Sequence, residues 1–335
     1  MNIYLTLDYE LFLGVKTGTP ENCLIRPMDE LCKVADKHHF KIVIFVDATY
    51  LLRMRQLRGQ FREVDRQYEL VSNHVKSLAE QGHDVELHFH PQWLYSNWDE
   101  ESQQWKMDRD HYKLSDMPLD DAKRYLREAK DLLDGIVGYK TIAYRAGGFC
   151  LDEFKDFKEI FRELGLKIDS SVARYGFVKS RIHYYDYRRV PSKIIYRFED
   201  SIIKENEKGQ FKEMSISGFR WGLFKFIVRV RNIRDSYQSK TRYGDGVGIK
   251  DHQNRLLRRF IKVINPIASL ACIDGGEANL LNLCLDEAVK LHQKDFVIIG
   301  HPKYVSLESL EVIENFIVTN SDNLCFKTTS DILQY

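Results

Sequence analysis

Short apolar runs alternate along the chain with longer amphipathic stretches. Runs at 2–7 (NIYLTL), 41–46 (KIVIFV), 84–87 (DVEL), 141–144 (TIAY), 166–168 (LKI) and 296–300 (FVIIG) read as strands, and 323–329 (NLCFKTT) as a closing one. Helical periodicity covers 27–38, 61–81, 119–135, 151–164, 277–293 and 307–316. Alternating strands and helices predict βαβ units around a parallel sheet. Uninterrupted runs such as KIVIFV predict strands covered on both faces. The predicted fold class is therefore α/β, with a barrel-like parallel sheet. The rhythm breaks between about 173 and 275, which reads as a large insertion within a single domain over 1–335.

Polar residues follow nearly every apolar run: Asp8 and Glu10, then Asp47, His88 with His90, Arg145, Asp169 with Ser170 and Ser171, and His301. In parallel α/β folds the carboxyl ends of the strands form the active site. Acids, histidines and an arginine recurring there outweigh any single motif.

Composition narrows the setting. A formal charge of +1 gives the whole chain no electrostatic case for nucleic acid, and no nucleic-acid partner is expected. The six cysteines form no CxxC pair, which suits reduced thiols. MNIYLTLDYE has no signal-peptide pattern, and no run approaches the roughly 20 apolar residues of a membrane span. The expected location is the cytoplasm, at the inner membrane face if the substrate is lipid-linked.

Residues two apart on a strand face the same side. Asp8 and Glu10 therefore share a face, with Tyr9 opposite; two acids there can divide metal binding from general-base work, or simply mark an exposed loop. His88 and His90 share a face in the same way. With a carboxylate from a neighbouring strand they can make a three-ligand site, and Glu86 has the parity of a supporting partner. The alternative is a pair of hydrogen-bonded structural histidines. In YRAGGF, Arg145 can orient a carboxylate by paired hydrogen bonds, or serve structure beside a glycine turn. IDSSV suits a cap or a site contact equally, and His301 suits a general acid or a loop residue before Pro302.

In this order the motifs resemble those of the polysaccharide deacetylase family, also called NodB-like or carbohydrate esterase family 4. TLDYE is similar to its Thr-Phe-Asp-Asp motif, GHDVELHFH to its metal-histidine motif, YRAGGF to its arginine motif, IDSSV to its aspartate motif and IIGHP to its last motif. The resemblance covers roughly 2–172 and 295–335. It implies a distorted parallel (β/α) barrel, a divalent metal, commonly zinc, and hydrolysis of acetyl groups from sugars. It further implies Asp8 as base, Arg145 as the residue that orients it, His88 as a metal histidine and His301 as acid. The expected catalytic set is Asp8, Glu10, Arg145 and His301, and the expected metal set is Asp8, His88 and His90. Two positions depart: Tyr9 stands where the family has a metal aspartate, and Gln92 where it has a second metal histidine. Glu10 and His90 are the nearby substitutes, as in divergent branches with an Asp-x-Glu first motif.

Trp93, Trp98 and Trp105 follow the histidines and can offer ring faces to a sugar, or pack onto the barrel. Trp93, Asp169 and Ser170 are the expected substrate contacts. Between Phe219 and Arg242 seven basic residues stand against Asp235 alone, with aromatics interleaved. That segment can lie on an anionic membrane, grip a pyrophosphate-linked glycan, or be a solvated basic face. The expected function is deacetylation of a sugar donor or glycan precursor for a bacterial surface polysaccharide. Two other readings stand beside it. One is an amidohydrolase-like metal barrel, although those place HxH on the first strand and here it follows the third. The other is a catalytically degenerate glycan-binding protein.

Overall fold

A computed structural model of the chain describes residues 1–151, 153–180, 183–221, 242–248 and 267–334. Its strands are β1 (Asn2–Tyr9), β2 (Val43–Asp47), β3 (Asp84–Phe89), β4 (Asn97–Asp99), β5 (Gln104–Lys106), β6 (Ala143–Ala146), β7 (Ile168–Asp169), β8 (Phe177–Lys179), β9 (Tyr184–Asp186), β10 (Ile195–Phe198), β11 (Phe211–Met214), β12 (Gly218–Trp221), β13 (Ile267–Leu270), β14 (Asp295–Gly300) and β15 (Cys325–Phe326). Its helices are α1 (Arg26–Lys37), α2 (Ala48–Gln56), α3 (Arg62–Glu80), α4 (Gln92–Tyr95), α5 (Leu119–Val137), α6 (Phe154–Glu163), α7 (Leu281–Lys290), α8 (Leu307–Asn320) and α9 (Thr329–Leu333).

The main sheet runs β10-β11-β7-β6-β3-β2-β1-β14, with β15 beside β1. Only the β10–β11 pairing within it is antiparallel. Backbone bonds draw the two ends together. Ser217 N donates to Val297 O at 3.0 Å, Ala271 N to Ser217 O at 2.8 Å, and Ile299 N to Ala271 O at 2.9 Å. The result is a nearly closed, distorted parallel (β/α) barrel, the fold class that the alternating pattern predicts. The irregular span 173–275 does not lie wholly outside it: β10, β11 and the stretches around 217 and 271 complete the wall.

Parity sets what each wall presents. On β1, Ile3, Leu5, Leu7 and Tyr9 join the outer core beneath the helices, while Tyr4 belongs to a separate inner cluster with Val43, Phe45, Ala143, Ile168, Met214 and Val297. The inner positions continue as Asp8 on β1 with Glu10 just beyond it, Asp47 on β2, His88 on β3 with His90 just beyond it, and Arg145 on β6. The same alternation that fills the barrel with apolar side chains thus stacks polar ones at its carboxyl end. Ile332 of α9 closes the inner cluster from the other end.

The outer helices are amphipathic in the ordinary way. On α3, Val64, Tyr68, Val71, Val75 and Leu78 are buried at three- and four-residue spacing. Helix α5 ends at Gly138 with φ +80°, a left-handed cap that glycine adopts freely. Helix α2 carries no such stripe. It follows β2 without a loop and is mostly buried, with Asp47 as its N-cap.

The basic segment 219–242 lies almost entirely outside the described residues. At its ends, Phe219 is buried, Arg220 donates to Arg188 O at 2.8 Å, and Arg242 donates to Gly244 O at 3.0 Å. All six cysteines are unbridged. Among the described residues no helix is long and apolar enough to cross a membrane.

Candidate active site

Glu10 is the centre of the polar layer. Its Oε2 lies 3.3 Å from His88 Nε2 and 3.1 Å from His90 Nε2. One donor atom from each of the three residues falls within 4.8 Å of the others, and all three residues are buried. Each imidazole is fixed through its other nitrogen. His88 Nδ1 stands 2.8 Å from Arg145 O, which can only accept, so Nδ1 carries the proton. His90 Nδ1 stands 3.1 Å from Asp47 Oδ2, where the proton again belongs on Nδ1. Both Nε2 atoms then face Glu10. A carboxylate oxygen and two imidazole nitrogens, which give up any Nε2 proton when a cation binds, form a donor set suited to zinc or a similar divalent ion. By donor chemistry these residues fit a metal.

Asp8 stands beside this set and makes a different bond. Arg145 Nη1 donates to Asp8 Oδ1 at 2.5 Å, leaving Oδ2 at 3.6 Å from His301 Nε2 and 3.9 Å from His88 Nε2. Arg145 is fully buried and stacks 4.1 Å above the Phe45 ring. Its remaining donors go to Thr6 Oγ1 at 2.9 Å, Ser170 Oγ at 2.8 Å and Ser170 O at 3.0 Å. Burial works against charge on Asp8, yet Arg145, with His88 and His301, holds its pKa below the usual carboxylate value.

His301 follows β14. Its Nδ1 lies 2.7 Å from Asp274 Oδ2, and its backbone N donates to Asp274 Oδ1 at 2.7 Å. Burial opposes the imidazolium, but Asp274, and then Asp8 and Glu10, raise its pKa above the ordinary histidine value. Without a cation, His88 is likewise raised, to about 9: burial opposes this, and Asp8 and Glu10 outweigh it. Glu10 falls well below a normal glutamate, since Lys303, His90 and His88 overcome its burial.

Of the sequence-predicted residues, the fold brings Asp8, Glu10, His88, His90, Arg145 and His301 together. The donor set contains Glu10 rather than Asp8, because Asp8 is turned onto Arg145. Tyr9 points away from the site: its hydroxyl lies 2.7 Å from His74 Nδ1. Gln92 is buried, and its Oε1 has no hydrogen-bond partner among the described residues.

The residues expected to contact substrate, Trp93, Asp169 and Ser170, are all buried. Trp93 is fully buried, donates from Nε1 to Asp47 Oδ2 at 2.8 Å, and packs against Tyr50 and Trp105. Its indole N–H finds a buried acceptor, so its ring faces turn inward. Trp98 and Trp105 sit across the small β4–β5 hairpin from each other and are buried too. Asp169 is buried and accepts from Ser171 Oγ at 2.7 Å and Ser171 N at 3.1 Å. Ser170 is spent on Arg145 and Met214 O. Both serve the frame around Arg145. Glu86 lies one layer down, accepting from Ile142 N, Ala143 N and Thr329 Oγ1.

Three contributors escaped the sequence reading: Asp274, Lys303 and the supporting role of Asp47. A carboxylate at the end of β2 was a visible signal for Asp47, whereas nothing local marked the other two. The glycines of YRAGGF do have a steric reason. A Cβ on Gly147 would meet His90 Cδ2 at 2.3 Å, so any side chain there would displace a candidate ligand.

No protein-family model matches the chain, and no curated protein does. Solved structures do share its shape. A Mycobacterium smegmatis protein assigned as a polysaccharide deacetylase aligns with TM-score 0.54 at 12% identity, over 99% of this chain and 88% of that one. A Pseudomonas aeruginosa PAO1 protein assigned in the same way gives 0.48 at 12% identity, over 99% and 89%. The 4-alpha-glucanotransferase of Thermococcus litoralis gives 0.49 at 12% identity, over 100% and 38%. Of these three, the Mycobacterium smegmatis protein alone aligns above a TM-score of 0.5, and a likeness at 12% identity is one of fold. In fold, then, this chain is a divergent NodB-like barrel of the polysaccharide deacetylase type.

Proposed function

We propose that the protein is a metal-dependent hydrolase that removes acetyl groups from an acetylated sugar, a donor or precursor used in surface-glycan synthesis. One observation carries this reading. Asp8 Oδ2 and His301 Nε2 face each other 3.6 Å apart, each held by its own partner, beside the Glu10, His88 and His90 donors. A base, an acid and a cation site in one polar layer are the parts that acyl hydrolysis needs.

Glu10, His88 and His90 would hold the cation. When bound, a zinc-like ion supplies Lewis acidity toward the acetyl carbonyl and lowers the pKa of water. Asp8 accepts the proton of the attacking water at Oδ2, since Oδ1 is committed to Arg145. Arg145 holds Asp8 through one hydrogen bond to Oδ1 and is itself held by bonds to Thr6 Oγ1, Ser170 Oγ and Ser170 O, so the base is kept in place during the reaction. His301, whose imidazolium form Asp274 favours from behind, gives its Nε2 proton to the departing amine or alcohol.

The test is acetate release from acetylated nucleotide sugars and lipid-linked sugars, after chelator treatment and again after cation is restored. Release that disappears and returns is expected. No release from any donor, together with glycan binding unaffected by chelator, would instead identify a non-catalytic glycan-binding protein.

The acid role makes a second prediction. Asp274→Asn removes the carboxylate that raises His301, so the alkaline limb of the kcat/KM profile should move toward lower pH. A bound cation lowers His301 in both proteins, so the difference between them survives. An unmoved alkaline limb would remove His301 from the acid role.

A further inference from the structure

Lys303 is the charge in this site that deacetylation does not need. It lies in the short turn Pro302–Tyr304 after His301 and is buried. Its Nζ donates to Glu10 Oε1 at 2.7 Å and to Leu11 O at 2.9 Å. The Phe12 and Tyr304 rings flank it at 5.2 and 5.7 Å. Burying an ammonium is costly unless its partners are fixed.

The chain also keeps Lys303 in place from outside. The YGDGVG stretch at 243–248 lies against this turn: Tyr243 N donates to Val305 O at 3.1 Å, and a Cβ on Gly244 would meet Lys303 O at 2.2 Å. Asp245 anchors the stretch on the far side through Thr19 N at 2.8 Å and Thr19 Oγ1 at 3.0 Å. The glycine-rich motif thus permits close packing over Lys303.

The two oxygens of Glu10 consequently have separate partners. Oε1 faces the ammonium, and Oε2 faces both imidazoles. We infer that Lys303 is a positioning residue that restricts Glu10 to one donor oxygen, Oε2, and so keeps the cation site open for water and the acetyl carbonyl. The inference rests on the reading of Glu10, His88 and His90 as cation ligands. A free carboxylate can offer both oxygens to one ion. Lys303 withholds the second and weakens the site's attraction for cations by standing beside it.

Lys303→Met should therefore bind a divalent cation more tightly while turning over more slowly. Removing one positive charge a few ångströms away is worth about tenfold or more in affinity. Cobalt(II) provides a readout independent of activity. A second carboxylate oxygen raises the coordination number, and visible absorptivity falls as coordination rises from four or five to six. The experiment titrates cobalt(II) into wild type, Lys303→Met and Lys303→Arg, with a competing chelator and thermal melts. Tighter binding with weaker absorption in Lys303→Met, and wild-type behaviour in Lys303→Arg, support the inference. Equal or weaker binding with an unchanged spectrum in a folded Lys303→Met overturns it and leaves the cation site standing. Wild type that binds no cation overturns both. If Lys303→Met does not fold, Lys303→Gln, which keeps one donor and loses the charge, is read by the same criteria.

Discussion

Asp8→Asn should lower kcat for acetate release by about 10²–10⁴-fold, the usual range for a lost general base. The substitution keeps the size of the side chain, and its amide oxygen can still accept from Arg145 Nη1 where Oδ1 does now. What it loses is basicity at Oδ2, the atom that faces His301 Nε2 at 3.6 Å. The donor set of Glu10, His88 and His90 does not include Asp8, so cation stoichiometry should stay at one per chain. That separates a missing base from a missing metal. His301 also loses a negative neighbour, so its pKa should fall somewhat, which slows the alkaline range further. The measurements are single-turnover acetate release, bound cation per chain, and a thermal melt. Turnover within tenfold of wild type would reassign the base, with Glu10 the next carboxylate in line. Loss of cation together with turnover would move Asp8 into the ligand set.

Much of this site was legible because strand parity is a strict rule. Once NIYLTL is a strand, Asp8 and Glu10 share a face, and the same rule pairs His88 with His90. The barrel then brings those faces together whatever the intervening helices contain. The other parts depend on contacts that no local pattern encodes. Lys303 reads as an ordinary cation after a proline, and its chief partner, Glu10, lies 293 positions away. Asp274 lies in the irregular stretch before α7 and reaches His301 through the chain closing the barrel. Trp93 is a different case. A tryptophan beside a site can face ligand or core, and here its indole N–H shares the buried Asp47 Oδ2 with His90. Helix α2 escaped notice because a helix buried nearly all round shows no polar face for periodicity to detect.

Arg145→Met should cost about 3–5 kcal/mol of stability at neutral pH, the range for removing one partner of a buried ion pair. Met fills a similar volume over Phe45, so cavity formation contributes little. The loss is of hydrogen bonds. Asp8 Oδ1, Thr6 Oγ1 and both Ser170 oxygens lose a donor together, inside a layer with no exposure at Arg145. The pH dependence distinguishes this from a packing defect. In wild type the folded-state pKa of Asp8 is depressed, so its contribution is present above the unfolded carboxylate value and disappears as pH falls through the folded one. Without Arg145, burial is opposed only by His88 and His301, and Asp8 rises. Its charge then destabilises the variant at neutral pH and is relieved by protonation in acid. The gap between the two proteins should therefore be widest near pH 7 and narrow toward pH 4. Urea unfolding at several pH values, with chelator present so that cation binding does not contribute, measures it directly. A gap below about 1 kcal/mol at pH 7 would show that Asp8 finds another partner when the guanidinium is gone. A gap that widens in acid would mean that Arg145 stabilises the barrel through something other than the Asp8 charge.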